Sequence, residues 1–267
     1  MLRQGVSKVG RCSARLKYGP IRVPHRNLNV HEYQSAALMK SKGVNVPFGV
    51  AVQTVEEAVK AAAEIGDDEI VIKSQILAGG RGLGTFTNGL QGGVHIIKSA
   101  DVAEYAGKML GGTLVTKQTG PAGKPVSTLL LAKKMNLVNE MYFAILLDRV
   151  RFPLVSVFAR YCATYAMLWQ ASQGPMVIAC AQGGTSIEDL AEEDPDQIIK
   201  VPIDPVVGMT DADATAIVKG LEVSGPIDAA KEQVQALYKL FIDADCTMVE
   251  VNPLAEDDTG LLSKYSY

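Results

Sequence analysis

A chain of 267 residues with net charge −3, 48% hydrophobic and 21% charged side chains buries a full core and holds one or two domains. That balance excludes a disordered chain, and 25 glycines with 12 prolines exclude a collagen-like one. Four cysteines, at 12, 162, 180 and 246, form neither a metal-ligand spacing nor a secreted disulfide framework, so they read as reduced thiols.

The charge is unevenly placed. Residues 1–27 carry seven basic side chains and no acid, and the first acidic residue is Glu32. An acid-free, Arg-rich start has the composition of a mitochondrial transit peptide, which predicts a mature chain in the mitochondrial matrix. A basic arm for nucleic acid is the alternative. The remainder, with 19 basic against 29 acidic side chains, would repel a phosphate backbone. Apolar stretches are broken before the length a bilayer needs, so neither nucleic acid nor membrane is expected as a partner.

Residues 31–42 read as a helix with Tyr33, Ala37 and Leu38 on its apolar positions and a stop at Gly43. Thr54 with Glu57 forms a capping box, and the helix it opens runs to Gly66. Ile70-Val71-Ile72 is a buried strand by length and β-branching, and Gly92–Lys98 is another. Asp101 and Glu104 open a helix that ends near Gly111. Thr113–Thr119 and Val126–Leu131, flanking Gly120-Pro121-Ala122-Gly123, predict a hairpin. Strands follow at Met141–Leu147 and Met176–Cys180, and a helix at Ser186–Glu192. A long amphipathic helix spans about Asp228–Ile242, and a final strand Met248–Val251. The order predicts a mixed α/β fold whose sheets contain both parallel and antiparallel pairs.

Two segments carry chemistry. Lys73 ends a strand, and Gly79-Gly80-Arg81-Gly82-Leu83-Gly84 follows six residues later. Glycines let backbone amides approach phosphate oxygens, and a strand-anchored lysine neutralises their charge. The loop is neither a Walker A sequence nor a dinucleotide fingerprint, because a strand comes next; it reads as a flap over a nucleotide. A flexible hairpin beside a surface lysine is the plainer reading. The second segment is Glu250-Val251-Asn252-Pro253. Period two puts Glu250 and Asn252 on one face as hard oxygen ligands suited to Mg²⁺, with Pro253 ending the strand. An exposed polar strand end is the alternative.

Together "NVHEYQSAALMKSKGVNVPFGV", "VIKSQILAGGRGLGTF", "NEMYFAILLDR", "GGTSIEDLAEE" and "VEVNPLAE" resemble the β subunits of mitochondrial succinyl-CoA synthetase, most of all the plant-type ADP-forming ones. The resemblance implies an ATP-grasp fold of two α+β subdomains over residues 28–256, with ATP or ADP as substrate. It implies that Lys73, Gly80, Arg81, Gly82 and Glu140 contact the nucleotide, that Asn252 ligates Mg²⁺, and that Glu250 is the catalytic acid meeting a phosphohistidine. That histidine belongs to the α subunit, the implied heterodimer partner. His25, His31 and His95 sit in no glycine-rich phosphate loop. The implied reaction joins succinate and CoA at the expense of ATP. Pro47 resembles the ATP-preferring members.

Three departures stand out. Residues 150–173 have no counterpart in the family and read as foreign sequence or as an apolar insertion; Arg160 interrupts them as a membrane span. Ala132 stands where the family usually has Glu near the adenine. Residues 257–267 form an aberrant tail where the family continues into a second Mg²⁺ ligand and a flavodoxin-like CoA-ligase domain, both missing here. Asp257 and Asp258 are expected in the turn. With those parts absent, the chain is expected to bind nucleotide without sustaining turnover. A catalytically dead decoy isoform and a stand-alone ATP-grasp carboxylate ligase remain as alternative readings.

Overall fold

The computed structural model describes residues 29–147, 174–183 and 195–264. The expected transit segment, the insertion at 150–173 and the helix expected at Ser186–Glu192 lie outside the described residues.

The first unit is a four-stranded sheet covered by two helices. In chain order it follows α1 (Glu32–Ser41) with β1 (Gly49–Val52), α2 (Val55–Ile65) and β2 (Glu69–Ser74). Next come β3 (Thr85–Phe86), β4 (Val94–Lys98), α3 (Val102–Met109), β5 (Thr113–Val115), β6 (Lys124–Pro125) and β7 (Leu129–Lys133). The strand order is β1-β7-β2-β4, and β3, β5 and β6 make a small separate sheet. Ile70 and Ile72 of β2 and Leu129 and Leu131 of β7 point into a core closed by Ala58, Ala61 and Ala62 of α2 and Val102, Ala106 and Met109 of α3. Alternation along a strand therefore turns Val71, Lys73, Leu130 and Ala132 to the face without these helices. Each fully buried aliphatic side chain contributes about 1.5–3 kcal/mol to this arrangement.

The second unit is a five-stranded sheet. It is built from β8 (Leu137–Leu147), β9 (Pro175–Cys180), β10 (Ile199–Pro202), β11 (Met248–Asp257) and β12 (Leu262–Lys264). Its order is β10-β9-β8-β11-β12. The helices α4 (Asp211–Gly220) and α5 (Ile227–Asp243) cover one face. Ile217, Val218, Val234, Leu237 and Phe241 pack there on Met141, Phe143, Ile145, Val177 and Val251. Met39 of α1 and Val44 after it join the same core, so α1 ties the first unit to the second.

Several expectations need correction. Every pairing among the described residues is antiparallel. β1 and β2 do run in the same direction, as a strand-helix-strand unit requires, but β7 inserts between them and pairs antiparallel with each. The Gly120–Gly123 turn closes a hairpin of β5 with β6, whereas residues 129–133 leave it for the four-stranded sheet. Leu129 and Leu131 bury completely there, which a short edge hairpin could not offer. The capping box at Thr54 is offset. Thr54 Oγ1 accepts from the Glu57 amide at 3.1 Å, but the Glu57 carboxylate accepts from the Gln53 amide at 2.7 Å. Pro253 does not end its strand. A register shift between Val251 and Leu254 absorbs the residue that lacks an N–H, and β11 continues to Asp257. Asp257 is buried at the end of that strand and accepts from the Thr259 and Leu261 amides, so of the two acids only Asp258 sits in the turn. The segment expected as a tail supplies β12, whose Lys264 amide donates to Asn45 O at 3.0 Å.

Candidate nucleotide site

Lys73 is buried on the face of the four-stranded sheet away from α2 and α3, flanked in register by Val94 of β4 and Leu130 of β7. Its Nζ lies 3.3 Å from Oε1 of Glu32, in the first turn of α1. The same oxygen receives Lys264 Nζ at 3.0 Å, and Oε2 receives Arg81 Nη2 at 2.8 Å. Three cations from β2, the glycine loop and β12 thus converge on one carboxylate.

The protonation states follow from that count. Burial opposes ionisation of Glu32, but Lys264, Lys73 and Arg81 outweigh it and hold the carboxyl well below the usual range. Burial pulls Lys73 down; Glu32 pulls it up, and Lys264 and Arg81 push it down again, leaving it at about 8. Burial likewise lowers Lys264, against the pull of Glu32.

A cavity of about 190 Å³ opens beside the cluster. Glu32, Lys73 and Lys264 form its charged end, and Val46, Pro47, Phe48, Leu130 and Ala132 line an apolar part. An apolar slot next to buried cations suits a ligand with a flat ring at one end and anionic groups at the other.

The glycine loop is hydrogen-bonded into the fold. The Gly79 amide donates to Gln118 Oε1 at 2.7 Å, and the Gly93 amide to Arg81 O at 2.8 Å. Arg81 Nη1 donates to Ser74 O at 2.9 Å. Gly80 stands at φ 70°, a left-handed conformation that glycine adopts without penalty, and Arg81–Leu83 form one 3₁₀ turn. Gly93 is required by space. A Cβ there would meet Leu114, Ser74 and, at 3.1 Å, Arg81 O.

This architecture has known counterparts. The ATP-grasp domain family matches residues 29–163 and 160–256. The chain belongs to the ATP-grasp family. It is 54% identical to the mitochondrial ADP-forming succinate–CoA ligase β subunit of Arabidopsis thaliana over 241 residues, covering 89% of this chain and 52% of that one. The same protein of Solanum lycopersicum matches at 54% with the same coverage. The chain therefore spans about half the length of the curated relatives it matches. The fold is also that of the Methanothrix soehngenii ATP citrate lyase solved with citrate and coenzyme A. There the TM-score is 0.58 at 16% identity, over 88% of this chain and 49% of that one.

Within this ATP-grasp chain the expected site residues fall into two groups. Lys73 and Arg81 meet at Glu32, with Gly80 and Gly82 alongside in the loop. Glu140, Glu250 and Asn252 stand on the five-stranded sheet, and none of them lines the cavity. Glu250 pairs in register with Ala144, so it shares the face opposite α4 and α5 with Tyr142 and Ala144. Glu140 is half-buried near the start of β8, in register with Ala255, and burial raises its carboxyl. Sequence reasoning missed Glu32 and Lys264. Their sole short-range signal is the placement of Glu32 at a helix start; their contact spans the whole chain.

Proposed function

We propose that this ATP-grasp chain is the nucleotide-binding part of an ADP-forming succinate–CoA ligase β subunit. The reaction is succinate + CoA + ATP giving succinyl-CoA + ADP + phosphate, with a phosphohistidine on an α subunit in between. The observation that carries the reading is the joining of Lys73 and Arg81 at one charged centre beside an apolar slot holding Pro47 and Ala132.

In this reading the slot takes the adenine, and Lys73 and Arg81 bind the phosphate oxygens with Gly80 and Gly82 beneath them. Lys73 donates a charge-assisted hydrogen bond, and Arg81, held by Ser74 O and Glu32, adds positive charge beside it. Ala132 offers the base only its backbone. Glu140 contacts the nucleotide from β8, and Glu250 receives the partner's phosphohistidine.

Among the described residues there is no cluster of three or more His, Cys, Asp or Glu side chains that could hold a metal ion. The donor chemistry at β11 is one hard amide oxygen, Asn252, beside an exposed carboxylate, Glu250. Asn252 suits Mg²⁺ carried on the nucleotide phosphates, where the ion would neutralise charge. A mitochondrial matrix location belongs to the same proposal and is supported by the composition of residues 1–27. The test is nucleotide titration of the protein by calorimetry. Saturable ATP binding, with GTP weaker, is expected; binding of neither nucleotide would contradict the reading.

A further inference from the structure

A carboxylate stands where a nucleotide's phosphates would arrive. Glu32 borders the cavity beside Lys73 and Lys264, with 9% of its side chain exposed. An anion there repels phosphate, so its presence weakens nucleotide affinity unless it serves the cations. Its geometry shows such a service. Lysine and arginine heads sit on long, flexible stems, and these three come from separate elements. Two oxygens of one side chain gather all of them, and α1 fixes that side chain by packing Met39 into the second core. We propose that Glu32 is the positioning residue of the nucleotide pocket, holding Lys73, Arg81 and Lys264 together where polyphosphate oxygens arrive.

The inference rests on the nucleotide reading above and extends it to two residues outside the expected site. Among the described residues, Glu32 from α1, Arg81 from the glycine loop and Lys264 from β12 bring charge to Lys73. Its register neighbours on β4 and β7, Val94 and Leu130, are apolar. Glu32 favours the charged form of Lys73, while Lys264 and Arg81 oppose it. Removing Glu32 should therefore let Lys73 lose its proton at lower pH, and removing Lys264 should postpone that loss. A purely structural role would move neither.

The test is ATP affinity by calorimetry from about pH 6.5 to 9.5 for the wild type, Glu32→Gln, Glu32→Asp and Lys264→Met. Wild-type affinity should fall above about pH 8, approaching roughly tenfold per pH unit, because one proton must be held for each phosphate contact. In Glu32→Gln the fall should begin at lower pH, so that its deficit grows with pH. Glu32→Asp should recover part of the wild-type profile, and in Lys264→Met the fall should begin higher. A Glu32→Gln profile parallel to the wild type, or a Lys264→Met onset at or below the wild-type one, would overturn the inference. If Glu32→Gln does not fold, the upward onset in Lys264→Met decides alone. Wild-type protein that binds no ATP would overturn the nucleotide reading and this inference with it; binding with unshifted profiles overturns only the inference.

Discussion

Glu32 and Lys264 stand 232 residues apart in the chain, yet the lysine Nζ donates to the glutamate Oε1 at 3.0 Å. Through this pair the end of the five-stranded sheet reaches the start of the first helix, and Lys73 of the four-stranded sheet meets them both. The ion cluster is therefore a joint between the two units as well as one end of the pocket.

That joint should make the fold acid-labile. The Glu32 carboxyl is held well below its ordinary value of 4.5, so on acidification the unfolded chain takes up the proton first. Its contribution is fully present above about pH 4.5 and is lost as pH falls below that value, at no more than about 1.4 kcal/mol per pH unit. Thermal melts between about pH 3 and 6 should show a shallower decline for Glu32→Gln, on top of a loss of about 3–5 kcal/mol from removing the carboxylate that buried cations share. Equal slopes for the two proteins would contradict this.

Gly93→Ala should disturb the glycine loop from a distance. The added methyl group would crowd Leu114 and the Arg81 carbonyl, which the Gly93 amide also holds. Overpacking of this kind costs about 1–3 kcal/mol. Urea unfolding should show that loss, and ATP affinity should fall with it because Arg81 shifts. An alanine variant as stable as the wild type would show that the loop has slack.

Phe143 lies completely buried in β8 under α4 and α5. Phe143→Ala should cost about 3–5 kcal/mol by loss of apolar burial and by the cavity left behind. Denaturant midpoints at an unchanged slope check this. A loss under about 1 kcal/mol would mean that the second core closes over the gap.

Much of this architecture is legible in the sequence for local reasons. β2 announces itself by β-branching, α2 by Thr54 at its start and Gly66 at its end, and α5 by its long amphipathic period. Lys73 stands out because a charge closes an apolar strand. What escapes is either short or tertiary. β1, β10 and β12 have four residues or fewer, too few for alternation to register. α4 carries a readable start, since Thr210 and Asp213 cap each other, but Asp replaces the usual Glu or Gln. The destination of β7 depends on which sheet buries Leu129 and Leu131, and no local pattern encodes that. Glu32 and Lys264 look like ordinary surface charges until the chain has folded.

The composition of residues 1–27 leads to a prediction about processing. The mature amino terminus should lie between about Arg22 and Asn29, as read by terminal sequencing of protein from purified mitochondria. Recovery of an intact Met1 would contradict it.

Lys73 should hold a nucleotide's phosphates in the cavity it shares with Glu32, Pro47 and Lys264. ATP titration of the wild type and Lys73→Ala near pH 7 measures it most directly, with thermal melts run beside it to confirm folding. Saturable binding that weakens about ten- to a hundredfold in Lys73→Ala is the predicted result, the loss of one charge-assisted contact worth roughly 1.5–3 kcal/mol. Equal affinity in two folded proteins, or no ATP binding by the wild type, would take Lys73 out of a nucleotide site.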